Sequence, residues 1–259
     1  MMTEILYEDG DVLVVYKPAG LATQTAKMGQ PDVVSELKNY LQRTQKLLHG
    51  NRFRQRTQNL PPGAREDGGP YLGVIHRLDQ PVEGLLVFAK NKNAAASLSG
   101  QLKGQETGGD FCKNYYAVLC GIPAQKQGEL KNWLYKSREN RAVVVDRPEA
   151  GPEDAKIQRA VLRYHILQIR EEYNLALADI RLETGRFHQI RAQAAHAGTP
   201  LLGDRKYGTE ETEEKNRELG ISHVALCAYC LEFRHPVLKK EMHFQIKPKN
   251  KAFTYFSQL

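Results

Sequence analysis

The stretch Gly73-Val-Ile-His-Arg-Leu-Asp-Gln-Pro-Val-Glu-Gly-Leu-Leu-Val-Phe-Ala-Lys90 decides how the chain reads. It sets one carboxylate, Asp79, between two apolar runs. Val74, Ile75 and Leu78 precede it; Leu85, Leu86, Val87 and Phe88 follow. Short apolar runs bounded by glycine and proline are the pattern of buried strands. Asp79 is therefore expected in or beside a core, with His76 and Arg77 next to it. An ionised carboxylate there is costly unless it is paired. Two readings follow. Asp79 is a strand-end residue capping a turn before Pro81, or it is a functional group whose partners come from elsewhere in the chain.

Outward from this stretch, Val12 to Tyr16 reads as a strand that Lys17-Pro18-Ala19-Gly20 breaks as a turn. Val33, Leu37, Leu41 and Leu48 predict a helix over 32–48, with Asp32 as its N-cap. Residues 49–70 are basic, then rich in Pro and Gly, and predict a surface loop. That loop is either a solvated linker or a place where Arg52, Arg54 and Arg56 meet phosphates. A helix is expected over 93–102, and strands over 113–121 and 142–145. A hairpin is expected from 160–169 and 175–182, and a short helix over 187–197 stopped by Gly198. Strands near 224–233 and 242–246 complete the pattern. Strands outnumber helices and do not alternate strictly with them. That predicts an α+β fold, a mixed and mainly antiparallel central sheet with flanking helices and loops.

A length of 259 residues suits one large domain or two small ones. The hydrophobic fraction of 41% and charged fraction of 26% exclude a disordered chain. Lysine and arginine total 37 against 30 acids, a net charge of +7, which suits nucleic acid without singling it out. Four cysteines do not make a disulfide scaffold, so reduced thiols and a cytoplasmic setting are expected. The N-terminal residues lack a basic segment followed by an apolar core, so no signal peptide is expected. No apolar run approaches the ~18 residues of a membrane-spanning helix.

The second informative stretch is Leu182-Glu-Thr-Gly-Arg-Phe-His-Gln-Ile-Arg191. A strand ends at Thr184-Gly185 and a helix opens near His188, so Arg186, His188, Gln189 and Arg191 crowd one junction. Such junctions project side chains into a cleft, and helix N-termini favour anions. Pro200-Leu-Leu-Gly-Asp-Arg-Lys-Tyr-Gly208 is a glycine-punctuated loop, in which Asp204 either orients loop and helix or closes a turn. Lys113-Asn-Tyr115 lies in a strand. Cys227 and Cys230 have half the spacing of a zinc site, but Cys112 and Cys120 do not supply the other half, and no metal is expected.

Together these segments resemble the RluA-type pseudouridine synthases. The match runs through Ile5 to Asp9 with Val12 to Gly20, His76-Arg-Leu-Asp79 with Gly84 to Lys90, and Lys113-Asn-Tyr115. It continues through Thr184 to Arg191, Pro200 to Asp204 with Tyr207-Gly208, and Leu231 to Pro236. These motifs follow the family order and cover nearly the whole chain. The resemblance implies one catalytic domain over 1–259 that isomerises uridine to pseudouridine in ribosomal or transfer RNA, without cofactor or metal. It implies that Asp79 is the nucleophile, attacking either sugar or base, and that Arg191 pairs with it. A cation within ~4–6 Å favours a charged carboxylate. It also implies that Tyr115 packs on the target base and assists proton removal at C5, and that Arg77 helps hold a flipped-out nucleotide. His76, Arg186, His188 and Gln189 are the other expected RNA-binding residues, with His188 also read as a hydrogen-bonding residue of the junction. A monomer with no protein partner is expected.

The chain departs from the family pattern at Val82 and Glu83, where Thr-Ser is usual, and at Gln193, where histidine is common. Glu83 is expected either to point away from RNA or to alter target choice. No N-terminal S4 RNA-binding domain is expected, so affinity is expected from the basic surface of the catalytic region. Two other readings compete: a non-catalytic RNA-binding protein that keeps the fold, and a glycosidase, which would need a second acid beside Asp79.

Overall fold

Almost every apolar run in this chain is short and bounded, and the strands they form join in one sheet of eleven among the described residues. The computed structural model describes residues 2–25, 27, 29–58, 69–104 and 111–257, with backbone only over 46–58. The opening stretch supplies β3 (Gly73–Val74) and β4 (Glu83–Ala89). All seven residues of β4 are buried, as are all six of β2 (Val12–Lys17). The two run antiparallel from Val12↔Ala89 to Lys17↔Gly84, with β1 (Glu4–Glu8) outside β2 and β3 against the end of β4.

On its other side β4 meets β10 (Leu226–Arg234) in parallel, through Cys227↔Glu83 and Ala228↔Gly84. Gly84 has φ +133, and a Cβ there would lie 2.5 Å from the Ala228 nitrogen, so glycine alone lets the strands touch. Beyond this seam the sheet is antiparallel. It passes through β5 (Cys112–Cys120), β9 (Leu175–Leu182), β8 (Gln158–Arg170), β6 (Gln127–Lys136) and β7 (Ala142–Val145). A last strand, β11 (Glu241–Gln245), pairs with β10. The expected mixed, mainly antiparallel α+β sheet is what forms.

Alternate residues of each strand face opposite sides. On one side Leu13, Val15, Leu86, Phe88, Tyr115 and Ile180 pack with α1 (Val33–Gln58) and α3 (Gln189–His196). The other side is covered by α2 (Lys92–Gly104) through Ala94 and Leu98. There α4 (Glu210–Leu219) adds Leu219, and the short 3-10 turn Lys251–Tyr255 adds Ala252 and Phe253.

The helix after Asp32 begins as expected, with Asp32 Oδ1 accepting from the Ser35 nitrogen at 2.7 Å. It does not stop at 48: residues 49–58 are helix, not loop. Arginine and glutamine are good helix formers, and the first proline comes at 61. The rest of the expected loop, 59–68, and the side chains of Arg52, Arg54 and Arg56 lie outside the described residues. Three elements were not foreseen: β1, β6 and α4. β6 alternates half-buried with exposed positions and holds few strong β-formers. α4 has a polar sequence, but its caps were readable: Thr209 accepts from the Thr212 nitrogen, and Gly220 closes it at φ 65. No helix among the described residues is long and apolar enough to cross a membrane.

Candidate active site

Asp79 lies in the loop between β3 and β4, at the foot of the seam. The turn is closed by its backbone, the Val82 nitrogen donating to the Asp79 carbonyl at 3.1 Å. Its carboxylate is therefore not spent on capping. The Lys17–Gly20 turn braces the loop from below. Gly20 nitrogen donates to the Gln80 carbonyl at 2.9 Å, and Thr23 Oγ1 bonds both backbone groups of Leu78 at 2.9 and 3.1 Å. Lys17, fully buried, donates to the carbonyls of Leu21, Pro18 and Gln80 at 2.6, 2.9 and 3.1 Å. Burial lowers its pKa to about 7 against the pull of Asp79 and Glu83. Its three acceptors match the three hydrogens of an ammonium.

The partner of Asp79 is Arg191, delivered by the first turn of α3 behind the Thr184–His188 junction. Arg191 Nη1 donates to Asp79 Oδ2 at 3.1 Å. Its other two donors, Nε and Nη2, grip the two oxygens of Asp204, each at 2.7 Å. The guanidinium thus makes its bidentate bond to a wholly buried aspartate and offers the remaining edge to Asp79, whose side chain is 25% exposed. Burial opposes the charge on Arg191, but Asp204 and then Asp79 outweigh it and hold its pKa above the ordinary value. Asp204 also closes its own turn, accepting from Lys206 and Tyr207 nitrogens at 3.0 and 3.2 Å. Both readings of Asp204 from sequence therefore hold at once.

Tyr115 projects from β5 on the α1–α3 face and is buried. Burial, then the Asp79 charge, push its hydroxyl above the usual phenol range, so it is neutral at pH 7. His188 sits at φ 51 before α3. The Ala142 nitrogen donates to Tyr207 Oη at 2.7 Å, and the same hydroxyl shares a hydrogen bond with His188 Nδ1, also at 2.7 Å. The other ring nitrogen, Nε2, faces Asp79 Oδ2 at 3.6 Å, longer than a hydrogen bond. Burial lowers the His188 pKa to about 4 despite Asp79, so the imidazole is neutral at pH 7. This oriented histidine, and the Tyr207 that orients it, carry no sequence signal beyond the motif itself.

The remaining expected site residues divide. Arg77 is exposed beside Asp79, and Arg186 is half-buried at the rim, its Nε donating to the Arg159 carbonyl at 2.8 Å. His76 and Gln189 are buried, and their contacts here are internal. His76 is 8% exposed, packs edge-on to Phe111 at 5.7 Å and accepts from the Val87 nitrogen at 3.4 Å. Its ring belongs to the apolar layer under α2. Gln189 is buried and ties the junction together: Oε1 accepts from Thr184 Oγ1 at 2.8 Å and the Arg186 nitrogen at 3.0 Å, and Nε2 donates to the Val161 carbonyl at 3.1 Å.

The departures from the family pattern are also internal. Glu83 is 1% exposed and accepts from Tyr16 Oη at 2.6 Å and from the Asn250 and Lys249 nitrogens at 2.9 and 3.1 Å. Gln193, fully buried, donates to Asn132 Oδ1 at 2.8 Å and the Leu130 carbonyl at 3.2 Å, joining α3 to β6.

The mixed sheet thus carries a partly exposed carboxylate at its seam, an arginine behind it and Arg77 and Arg186 at the rim, a setting suited to an anionic substrate. A family model described as RNA pseudouridylate synthase matches residues 11–196. The chain belongs to that family, the isomerases that convert uridine to pseudouridine in RNA. It is 29% identical over 258 residues to an uncharacterized RNA pseudouridine synthase of Aquifex aeolicus, covering 98% of this chain and 72% of that protein. It is 32% identical over 243 residues to the ribosomal large subunit pseudouridine synthase D of Zymomonas mobilis, covering 93% and 68%. With the rice chloroplastic RNA pseudouridine synthase 2 it shares 32% identity over 192 residues, 68% of this chain but 42% of that protein. Among solved structures, human RNA pseudouridylate synthase domain containing 4 has the same fold, with a TM-score of 0.65, 24% identity, and 95% and 89% of the two chains covered.

Proposed function

We propose that this chain, as one catalytic domain over 1–259, isomerises specific uridines in structured ribosomal or transfer RNA, with Asp79 as the nucleophile. The observation that carries the reading is the Asp79 carboxylate: partly open to solvent, held by one edge of Arg191, beside a buried tyrosine. Attack needs the ionised carboxylate, and the arginine favours that form. Once the glycosidic bond breaks, the freed base rotates and C5 bonds to C1′ while the bond to Asp79 breaks and releases the free carboxylate; C5 then loses its proton to solvent and N1 gains one. Tyr115 packs on the base, and its neutral hydroxyl is a hydrogen-bond donor during that rotation. His188 turns Nε2 toward the same space. Arg77 and Arg186 meet the phosphates on either side of the extruded nucleotide. No cofactor or metal takes part, and the protein acts as a cytoplasmic monomer. A glycosidase would need a second accessible acid; Asp204 is buried and held by Arg191 on both oxygens.

The test is tritium release from ribosomal and transfer RNA labelled at uridine C5. The wild-type protein is expected to release tritium, and Asp79→Asn is expected to release none above background. Release by Asp79→Asn at the wild-type rate would remove Asp79 as nucleophile. RNA binding with no release by either protein would favour the non-catalytic reading.

A further inference from the structure

The residue between Arg186 and His188 has no part in the chemistry above, and its environment is unusual. Phe187 is 37% exposed, one of the few large apolar side chains on the described surface. Its ring lies almost flat on the His188 ring, with centroids 3.7 Å apart and planes 22° apart. The left-handed backbone at His188 makes this neighbour-on-neighbour stack feasible. His188 in turn faces Asp79 at 3.6 Å. The two rings form a step from solvent to the nucleophile. On Phe187 rests the ammonium of Lys136, 5.0 Å from the ring centroid, carried by the end of β6.

Phe187 packs one ring face on His188 yet keeps 37% of its surface in solvent, so part of the ring is left open. A lysine over an aromatic ring at an exposed site contributes little and moves easily. Both groups have a better use if a polynucleotide lies in the cleft. Every nucleobase has a π-face that stacks on an aromatic ring, and every linkage has a phosphate for an ammonium. Extruding the target uridine also unstacks its neighbour, which then needs a surface to cover it.

We infer that Phe187 and Lys136 form a subsite for the nucleotide adjoining the target uridine, its base stacked on Phe187 and its phosphate held by Lys136. Lys136 swings off the ring as the base arrives. The stack holds the flanking nucleotide beside the target and adds to its binding. The subsite recognises any base by its face, which gives affinity with little sequence choice. This inference rests on the synthase reading.

The experiment measures kcat and KM for tritium release from C5-labelled ribosomal and transfer RNA, using Phe187→Ala, Phe187→Leu and Phe187→Trp. Base stacking lost on removing the ring predicts KM up about tenfold in the alanine and leucine variants, with kcat within about twofold. Tryptophan is expected to keep or improve the wild-type KM. Leucine restores packing on His188 but cannot stack, so a leucine variant with wild-type KM overturns the proposal. So does a fall in kcat at constant KM, which would make Phe187 a prop for His188 alone. If wild type releases no tritium, the synthase reading fails and takes this inference with it. Wild-type release with unaltered alanine kinetics overturns this inference alone. Lys136→Gln is expected to reduce the salt dependence of KM.

Discussion

Two carboxylates four residues apart in one stretch have opposite fates. Glu83 is 1% exposed, and both its oxygens are taken by a tyrosine hydroxyl and two backbone nitrogens. Asp79 is a quarter exposed, and among the described residues its one hydrogen bond comes from Arg191 to Oδ2. The first is a fastener: its bonds are complete and water does not reach it. The second is held but unsaturated, which is the condition of a group kept for a substrate. Saturation, rather than burial or position in a motif, separates the structural acid from the one proposed to react.

The contrast can be broken in order of effect. Asp79→Asn is expected to lower tritium release at least about a thousandfold, while urea unfolding shifts by less than about 1 kcal/mol. Arg191→Met is expected to cost about 3–5 kcal/mol in the same urea measurement, because Asp204 is left buried and unpaired. Glu83→Gln is expected to cost about 1–3 kcal/mol through its lost acceptors, with kcat per folded molecule unchanged. A Glu83→Gln protein that is stable but inactive would collapse the distinction. The smallest effect is on pH. The His188 pKa falls from 6.5 in the unfolded chain to about 4 in the fold. Between those values the unfolded state binds more protons, so stability falls as pH drops through that window. His188→Asn is expected to flatten that slope in unfolding curves recorded at pH 5 and pH 7.

Much of this was legible before any coordinates. The runs at Val12 to Tyr16 and Leu85 to Phe88 read as buried strands because continuous apolar residues suit strands covered on both faces. Asp79, Tyr115 and Arg191 were named through the ordered motifs. What could not be read was who satisfies whom. Asp204, not Asp79, takes the bidentate edge of Arg191, and Lys249 and Asn250 saturate Glu83. Periodicity reports which way a side chain faces, not what lies across from it. The internal partners of His76 and Gln189 were hidden for the same reason: a polar residue inside a motif gives no sign of what it bonds. Residues 49–58 misled through composition, since basic residues suit a helix as well as a loop.

The seam between β4 and β10 has a consequence in time. Asp79 and Arg191 are 112 residues apart, and Glu83 and Asn250 are 167 apart. The ribosome adds residues in order, so Asp79 emerges long before its arginine, and the acid that anchors its strand waits longer still for its partners. A chain in synthesis therefore carries Asp79 unarmed. On the synthase reading the site is complete only once Arg191 has followed Asp79 out, and its strand is fastened only once Asn250 has followed Glu83.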